Sequence, residues 1–596
     1  MSQQKDLPKM PVPPLKQTCD QYLSALEPVV EPDDLQRTKQ LVEEFQKPGG
    51  VGEKLQRGLQ RKAESTDNWS TETYMKYLFL KQRKPLPIFS NMAGVIRAPD
   101  CTDIAGQLRV AADAIVAVLH YKLLIDTGTL PVQYVQGFPM CNMQHENFIS
   151  SCRIPHPEAD SFVFFDKTPN PPKHITLIHN GQLFMMNVYH SDGTQLSKEE
   201  VHIQLQRICD PSQEADQEPV GVMTSQRRDI WGRVYEKLIT DETNRQSLLT
   251  IQSSIFSVCL DGPSPAKIDP SQRRIGMHQM LTGEGSSCNG TNRWYDKGLQ
   301  VVVGRNGLCG LQMSHSVADG IVAMELMDIT REHMKLEKPP TSPREDLCPP
   351  QKLKFNITAE VKEDIQEAKQ HADKLAKGFD LKLKDFSHFG KNFLKSLKMS
   401  PDSFVQMATQ LAYFRVHKQL PVTVEPVTLR MFKNGRLGVI NTTTNESVAF
   451  IKAFDDPSIQ SSEKVDLLKK ALKVQSRNII RAIQGQVTDL HLFGLEMQAA
   501  EENIPTPEIF KDANYEKCFA CQVLAGQITT TSSNYPCSSP ETVELYDINY
   551  GIMSDHMEFV VSCFEYSETN RVKDSAKLIQ ALEDALVDMG NLFKQS

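Results

Sequence analysis

The heptapeptide Ser314-His315-Ser316-Val317-Ala318-Asp319-Gly320 places an imidazole four residues before a carboxylate, after a strand-like run and ahead of a helical one. A histidine at a strand end can be aimed into a cleft. The acid can hold the loop, and Gly320 permits a tight exit. Imidazole suits removal of a proton from an alcohol because its ordinary pKa lies near working pH. His315 is therefore a candidate general base supported by Asp319. The competing reading is a hydrogen-bonded loop histidine, since His-x-x-x-Asp recurs by chance.

A second cluster lies downstream. Lys391 and Lys395 precede Ser400-Pro401-Asp402, which has the form of a helix start with serine at the cap and proline at the first helical position. Two lysines so close build a compact positive site suited to a nucleotide phosphate, although two solvated lysines would read the same way. The glycine spacing and the Ser/Thr of a P-loop are missing. Cys518 and Cys521 lack the second pair of ligands that a zinc site needs, so they read as ordinary thiols and no metal is expected.

The elements that must position these groups read as mixed α/β. Helical periodicity covers 18–30, 33–47, 51–62, 105–127, 321–337, 358–378, 401–417, 462–484 and 572–594. Asn180-Gly181 and Gly304-Arg305-Asn306-Gly307 mark two hairpins, within 174–190 and 299–313. Strand-like pieces fall at 426–432, 438–443, 447–453 and 558–565, and the Pro-rich stretch 339–350 reads as a connection between lobes. At 596 residues two lobes are expected. A net charge of −8 argues against nucleic acid as a partner. Neither a leader pattern nor a membrane-length apolar run is seen, so a cytoplasmic protein is expected.

Several segments together carry a resemblance: Phe389-Gly390-Lys391 through Ser400-Pro401-Asp402-Ser403-Phe404 to Tyr413, Pro11-Val12-Pro13-Pro14-Leu15, Pro48-Gly49-Gly50-Val51-Gly52-Glu53, Ser151-Cys152-Arg153-Ile154-Pro155, Tyr189-His190-Ser191-Asp192-Gly193, Asn292-Arg293-Trp294-Tyr295-Asp296-Lys297, and Leu429-Arg430-Met431-Phe432 with Gly435-Arg436. Taken along the chain, they resemble the carnitine/choline acyltransferase family in unbroken order over about residues 11–594, and most of all its carnitine-acetylating branch. The resemblance implies a chloramphenicol-acetyltransferase-like α/β fold with two similarly folded lobes of mixed sheet plus helices and an active-site tunnel at their interface. The lobes would be 66–357, carrying the histidine, and 1–65 with 358–596, carrying the coenzyme A lysines. It implies transfer of a short acyl group between acyl-coenzyme A and a small hydroxyl acceptor by a monomer, without metal. His315 matches the general base. Asp319 and Arg436 match the pair that supports its loop. Lys391 and Lys395 match the 3′-phosphate ligands, with Asp402 near the adenine end, and Thr531-Ser532-Ser533 matches the family's Ser-Thr-Ser, so Ser533 would donate to the oxyanion.

The acceptor side departs from the pattern. The tyrosine, threonine and arginine with which carnitine enzymes hold the substrate carboxylate are here Val424, Leu437 and Leu490. A buried carboxylate without partners is strongly disfavoured, so carnitine would need a new ligand. Choline, or another amino alcohol, becomes an alternative acceptor. The shortened stretch at Val543-Glu544-Leu545-Tyr546 departs from the choline pattern in turn. A coenzyme-A-binding protein with weakened catalysis is the third reading.

Overall fold

The computed structural model describes residues 4, 6–98, 101–135, 137–210, 215–263, 272–336, 339, 341–528, 535–537, 540–565 and 572–593. Two mixed sheets organise it. The first runs in the order Gln351–Lys352, Gln182–Asn187, His174–His179, Ser257–Leu260, Leu299–Val303, Leu308–Ser314, Asn91–Arg97, Tyr535–Cys537. The second runs Phe379–Phe386, Met557–Phe564, Tyr546–Ile552, Val523–Gln527, Thr423–Thr428, Leu437–Asn441.

The two sheets share a topology. In each, an antiparallel pair comes first (His174–His179 with Gln182–Asn187; Thr423–Thr428 with Leu437–Asn441). A strand parallel to its first member follows, then a hairpin whose first strand continues the parallel run. One further strand, Asn91–Arg97 or Phe379–Phe386, pairs beside that hairpin. Each sheet is also covered by a corresponding pair of packed helices, Ile104–Asp126 with Gly320–Met334 and Pro401–His417 with Ser575–Asn591.

Local chemistry explains the turns. Asn180 and Gly181 both have positive φ (50° and 70°), which a two-residue hairpin of matching twist requires. Ser400 accepts from the Ser403 amide at 3.3 Å and caps the helix Pro401–His417. One expectation fails: 447–453 is not a strand but part of the helix Asn445–Phe454. Thr444 and Ser447 form reciprocal cap bonds, and Val448, Phe450, Ile451 and Phe454 bury a helical stripe. The cap outweighs the β-forming side chains.

The amino-terminal helices Leu15–Leu26, Pro32–Phe45 and Val51–Ser65 share a core with Val427, Leu429 and Ile440 of the second sheet region. A separate apolar cluster joins the sheets, with Val95, Val302 and Leu308 meeting Phe379, Leu381, Val560 and Phe564. Among the described residues no helix is long and apolar enough to cross a membrane.

Candidate active site

The strand Leu308–Ser314 is buried along its length and delivers His315 at its end. The His315 amide donates to Ser90 O at 3.0 Å, which fixes the loop to the start of the neighbouring strand. Asp319 occupies the cap position of the helix Gly320–Met334, but its carboxylate turns away from the helix amides. It meets Arg436 instead.

Arg436 comes from the other sheet. Its Nε donates to Asp319 Oδ1 at 3.0 Å, Nη1 to Ser316 O at 2.9 Å and Nη2 to His315 O at 2.7 Å. The turn that aims it needs Gly435, where a Cβ would run into the Leu429 carbonyl oxygen. One guanidinium thus carries the backbone of the His315 loop and its acid together. Burial alone would push Asp319 up, yet the Arg436 charge and hydrogen bond, with the nearby His315 ring, hold it at about 2. The His315 ring keeps its Nε2 3.6 Å from Asp319 Oδ1, close enough for the carboxylate to favour a developing imidazolium.

Three further contributors have no signal in the sequence pattern. Gln144 donates to Asp319 Oδ2 and to Gly435 O, both at 2.8 Å, and accepts from the Asp319 amide at 2.7 Å, so it staples loop and turn. Phe79 sits edge-on to His315 with ring centroids 5.3 Å apart. It is placed by the single π-turn Met75–Leu80, a distortion often found at functional sites. Tyr74 packs against Phe79 and under Arg436. Burial pushes its phenol up, and the charges it senses are those of Asp319, Arg436, Glu541 and Asp489.

Lys391 and Lys395 lie one turn apart on the helix Lys391–Ser396, on one face of it. The Lys391 and Asn392 amides donate to Met553 O and Ser554 O at 2.7 and 3.0 Å, seating the helix on the turn between two strands of the second sheet. Both lysines are exposed, and neither has a hydrogen-bond or ion-pair partner among the described residues. Asp402, by contrast, is drawn inward. Tyr550 donates to it at 2.7 Å, and the neighbouring acid Glu425 accepts from Gln475 at 2.6 Å. Burial, then the Asp402 charge, pushes the Glu425 carboxyl well up from its ordinary value.

Of the residues expected at the acceptor, Val424 and Leu437 fall on one face of their antiparallel ladder, paired with Asn441 and Thr428 respectively. Leu490 is buried in the core with Val427, Leu429 and Leu492. Thr531, Ser532 and Ser533 lie outside the described residues. Among the described residues no group of His, Cys, Asp and Glu is arranged to hold a metal ion.

Comparison with known proteins adds ancestry. The family model described as Choline/Carnitine o-acyltransferase matches residues 10–584. Carnitine O-acetyltransferase of Homo sapiens is 42% identical over 592 residues, 99% of this chain and 94% of that protein. The enzyme of the same name from Columba livia is 40% identical over 594 residues, 100% of this chain and 94% of that protein. Choline O-acetyltransferase of Danio rerio is 34% identical over 603 residues, 99% of this chain and 93% of that protein.

Proposed function

Because the chain belongs to the choline/carnitine O-acyltransferase family, we propose that it moves a short acyl group between acyl-coenzyme A and a small hydroxyl acceptor with His315 as general base. The observation that carries the reading is the grip of Arg436, from one sheet, on the His315 and Ser316 carbonyls and on Asp319, at the end of the other. It is what a catalytic loop at a lobe interface requires. In this reading the lobes are 66–357 and 1–65 with 358–596. The packing of helices 15–65 on the second sheet region supports the division, with Tyr535–Cys537 lent to the first sheet.

His315 removes the acceptor's hydroxyl proton as that oxygen attacks the thioester carbonyl. The carbon–sulfur bond then breaks, and the imidazolium returns the proton to the departing thiolate. The Asp319 charge, shared with Arg436, steadies the imidazolium between the two steps. The Ser533 hydroxyl would donate to the oxyanion. A donor so placed contributes about 3 kcal/mol in other acyl-transfer enzymes.

Lys391 and Lys395 receive the 3′-phosphate of coenzyme A, since they are unpaired cations on one helix face, and Asp402 marks the adjoining part of that site. Lys391→Ala combined with Lys395→Ala weakens coenzyme A by at least about ten-fold, as loss of charge-assisted bonds implies. Binding of 3′-dephospho-coenzyme A changes less than about two-fold. Titration calorimetry with both ligands reads the difference, and equal losses would remove the phosphate assignment.

Pure protein with acetyl-coenzyme A, assayed for free thiol with carnitine, choline and other amino alcohols, tests the activity itself. Acceptor-dependent release is expected, and none with any acceptor would sink the proposal. The apolar Val424, Leu437 and Leu490 favour keeping a choline-type acceptor as the second reading. A choline rate that does not saturate at millimolar concentration would remove it.

A further inference from the structure

The Pro-rich segment 339–350 carries the chain from the helix Gly320–Met334, which follows the His315 loop, to Gln351–Lys352 at the edge of the first sheet. Its fastening is acidic. Thr341 Oγ1 donates to Glu199 Oε2 at 2.8 Å, the Arg344 amide to Glu200 Oε1 at 2.9 Å, and Arg344 Nη1 to Asp192 Oδ2 at 2.9 Å. Glu200 also accepts from the Ser197 amide at 2.8 Å, so the same carboxylate completes the capping box of the helix Lys198–Ile208. Arg344 is the cation of this clamp, set against three carboxylates.

Ser342 lies between the two anchored residues. It is exposed and makes no hydrogen bond among the described residues. Among them, no backbone–backbone hydrogen bond engages 341–346 either. Pro343 keeps the residue before it extended and has no N–H to donate. Ser/Thr-Pro also occurs at Thr168, Ser264, Ser400, Thr506 and Ser539, but only Ser342 has another proline two residues before it in the sequence, Pro340. Ser400 is already used as a helix cap, and Thr168 donates to Phe165 O. An exposed hydroxyl in an extended segment with free peptide groups is what a protein kinase draws into its active site. The proline that follows suits a kinase site that asks for no N–H there.

We propose that Ser342 is a phosphate-acceptor site for a proline-directed serine/threonine kinase, and that the phosphate releases the segment from Glu199, Glu200 and Asp192. The Ser342 oxygen attacks the γ-phosphorus of ATP as the bond to the β,γ-bridging oxygen breaks. ADP leaves, and the serine proton passes to a carboxylate base of the kinase. The new group carries a charge of about −1.5 to −2 at pH 7. It repels Glu199 and Glu200. Two residues from Arg344, it also competes with Asp192 for a guanidinium whose fork fits phosphate. Both effects open the clamp.

The purified full chain is treated with ATP and a mitogen-activated protein kinase that phosphorylates its own peptide standard, and tandem mass spectrometry locates the phosphate. Ser342 is expected to carry most of it. Ser342→Ala removes that phosphate and keeps the wild-type melting point, since the hydroxyl has no partner to lose. Hydrogen exchange then reads the clamp. On phosphorylation the Arg344 amide loses at least about ten-fold of its protection, scored against a free 339–350 peptide bearing the same phosphate. No phosphate on Ser342, or more of it on another residue, overturns the site. Phosphate on Ser342 with a smaller loss of protection overturns the release.

Discussion

His315→Gln lowers kcat by about 10²- to 10⁴-fold, the range that a positioned acid–base group contributes, and leaves acetyl-coenzyme A binding within about two-fold of wild type. The loop is held by groups that the substitution spares. The residue's amide donates to Ser90 O, and its carbonyl accepts from Arg436. The ring itself meets the edge of Phe79 and stands 3.6 Å from Asp319 Oδ1. Glutamine can occupy much of that volume but cannot carry a proton from acceptor to thiolate. Steady-state rates with thermal melting as a folding check give the answer. A rate within about three-fold of wild type would leave His315 a loop residue.

Arg436→Met destabilises the chain by about 3–5 kcal/mol, the usual penalty for removing one partner of a buried ion pair. Asp319 has no exposed surface and Arg436 only 4%, so the orphaned carboxylate has no solvent to turn to. Two loop carbonyls lose their donor as well. Asp319→Asn in the same chain recovers part of the loss, since it removes the buried charge.

The pair also fixes a pH dependence. The folded-state pKa of Asp319, about 2, is below its unfolded value of about 3.9, so the contribution is full above pH about 4. It is lost as pH falls from there through about 2. In Arg436→Met the shift reverses and that acid limb disappears. Thermal midpoints across pH 2–7 check both statements, and an Arg436→Met protein as stable as wild type at pH 7 would contradict them.

The sequence carried the loop and its strand well, because hairpin turns, a run of strand-forming residues and a glycine exit are local signals. It carried the helix start at Ser400 for the same reason. It misled at 447–453, where Val448, Phe450 and Ile451 suggest a strand and the decisive information is the cap at Thr444 and Ser447. Gln144 was invisible. Its bonds reach 175 residues to Asp319 and 291 residues to Gly435, and a glutamine among Asn142, His145 and Glu146 announces nothing until both partners are placed. Phe79 depends on a π-turn that no periodicity encodes. Asp402 reads as an ordinary first-turn acid, yet the fold buries it beside Tyr550 and Glu425, and burial pushes both carboxyls up.

The most direct test of the central claim is the fate of the acyl group. The purified chain is incubated with acetyl-coenzyme A labelled in the acetyl carbons and a panel of hydroxyl acceptors, and free coenzyme A and labelled ester are counted together by mass spectrometry. Direct transfer through His315 predicts one labelled ester for each coenzyme A released, with both lost in His315→Gln. Coenzyme A released without any labelled ester, or ester formed equally well by His315→Gln, would contradict it.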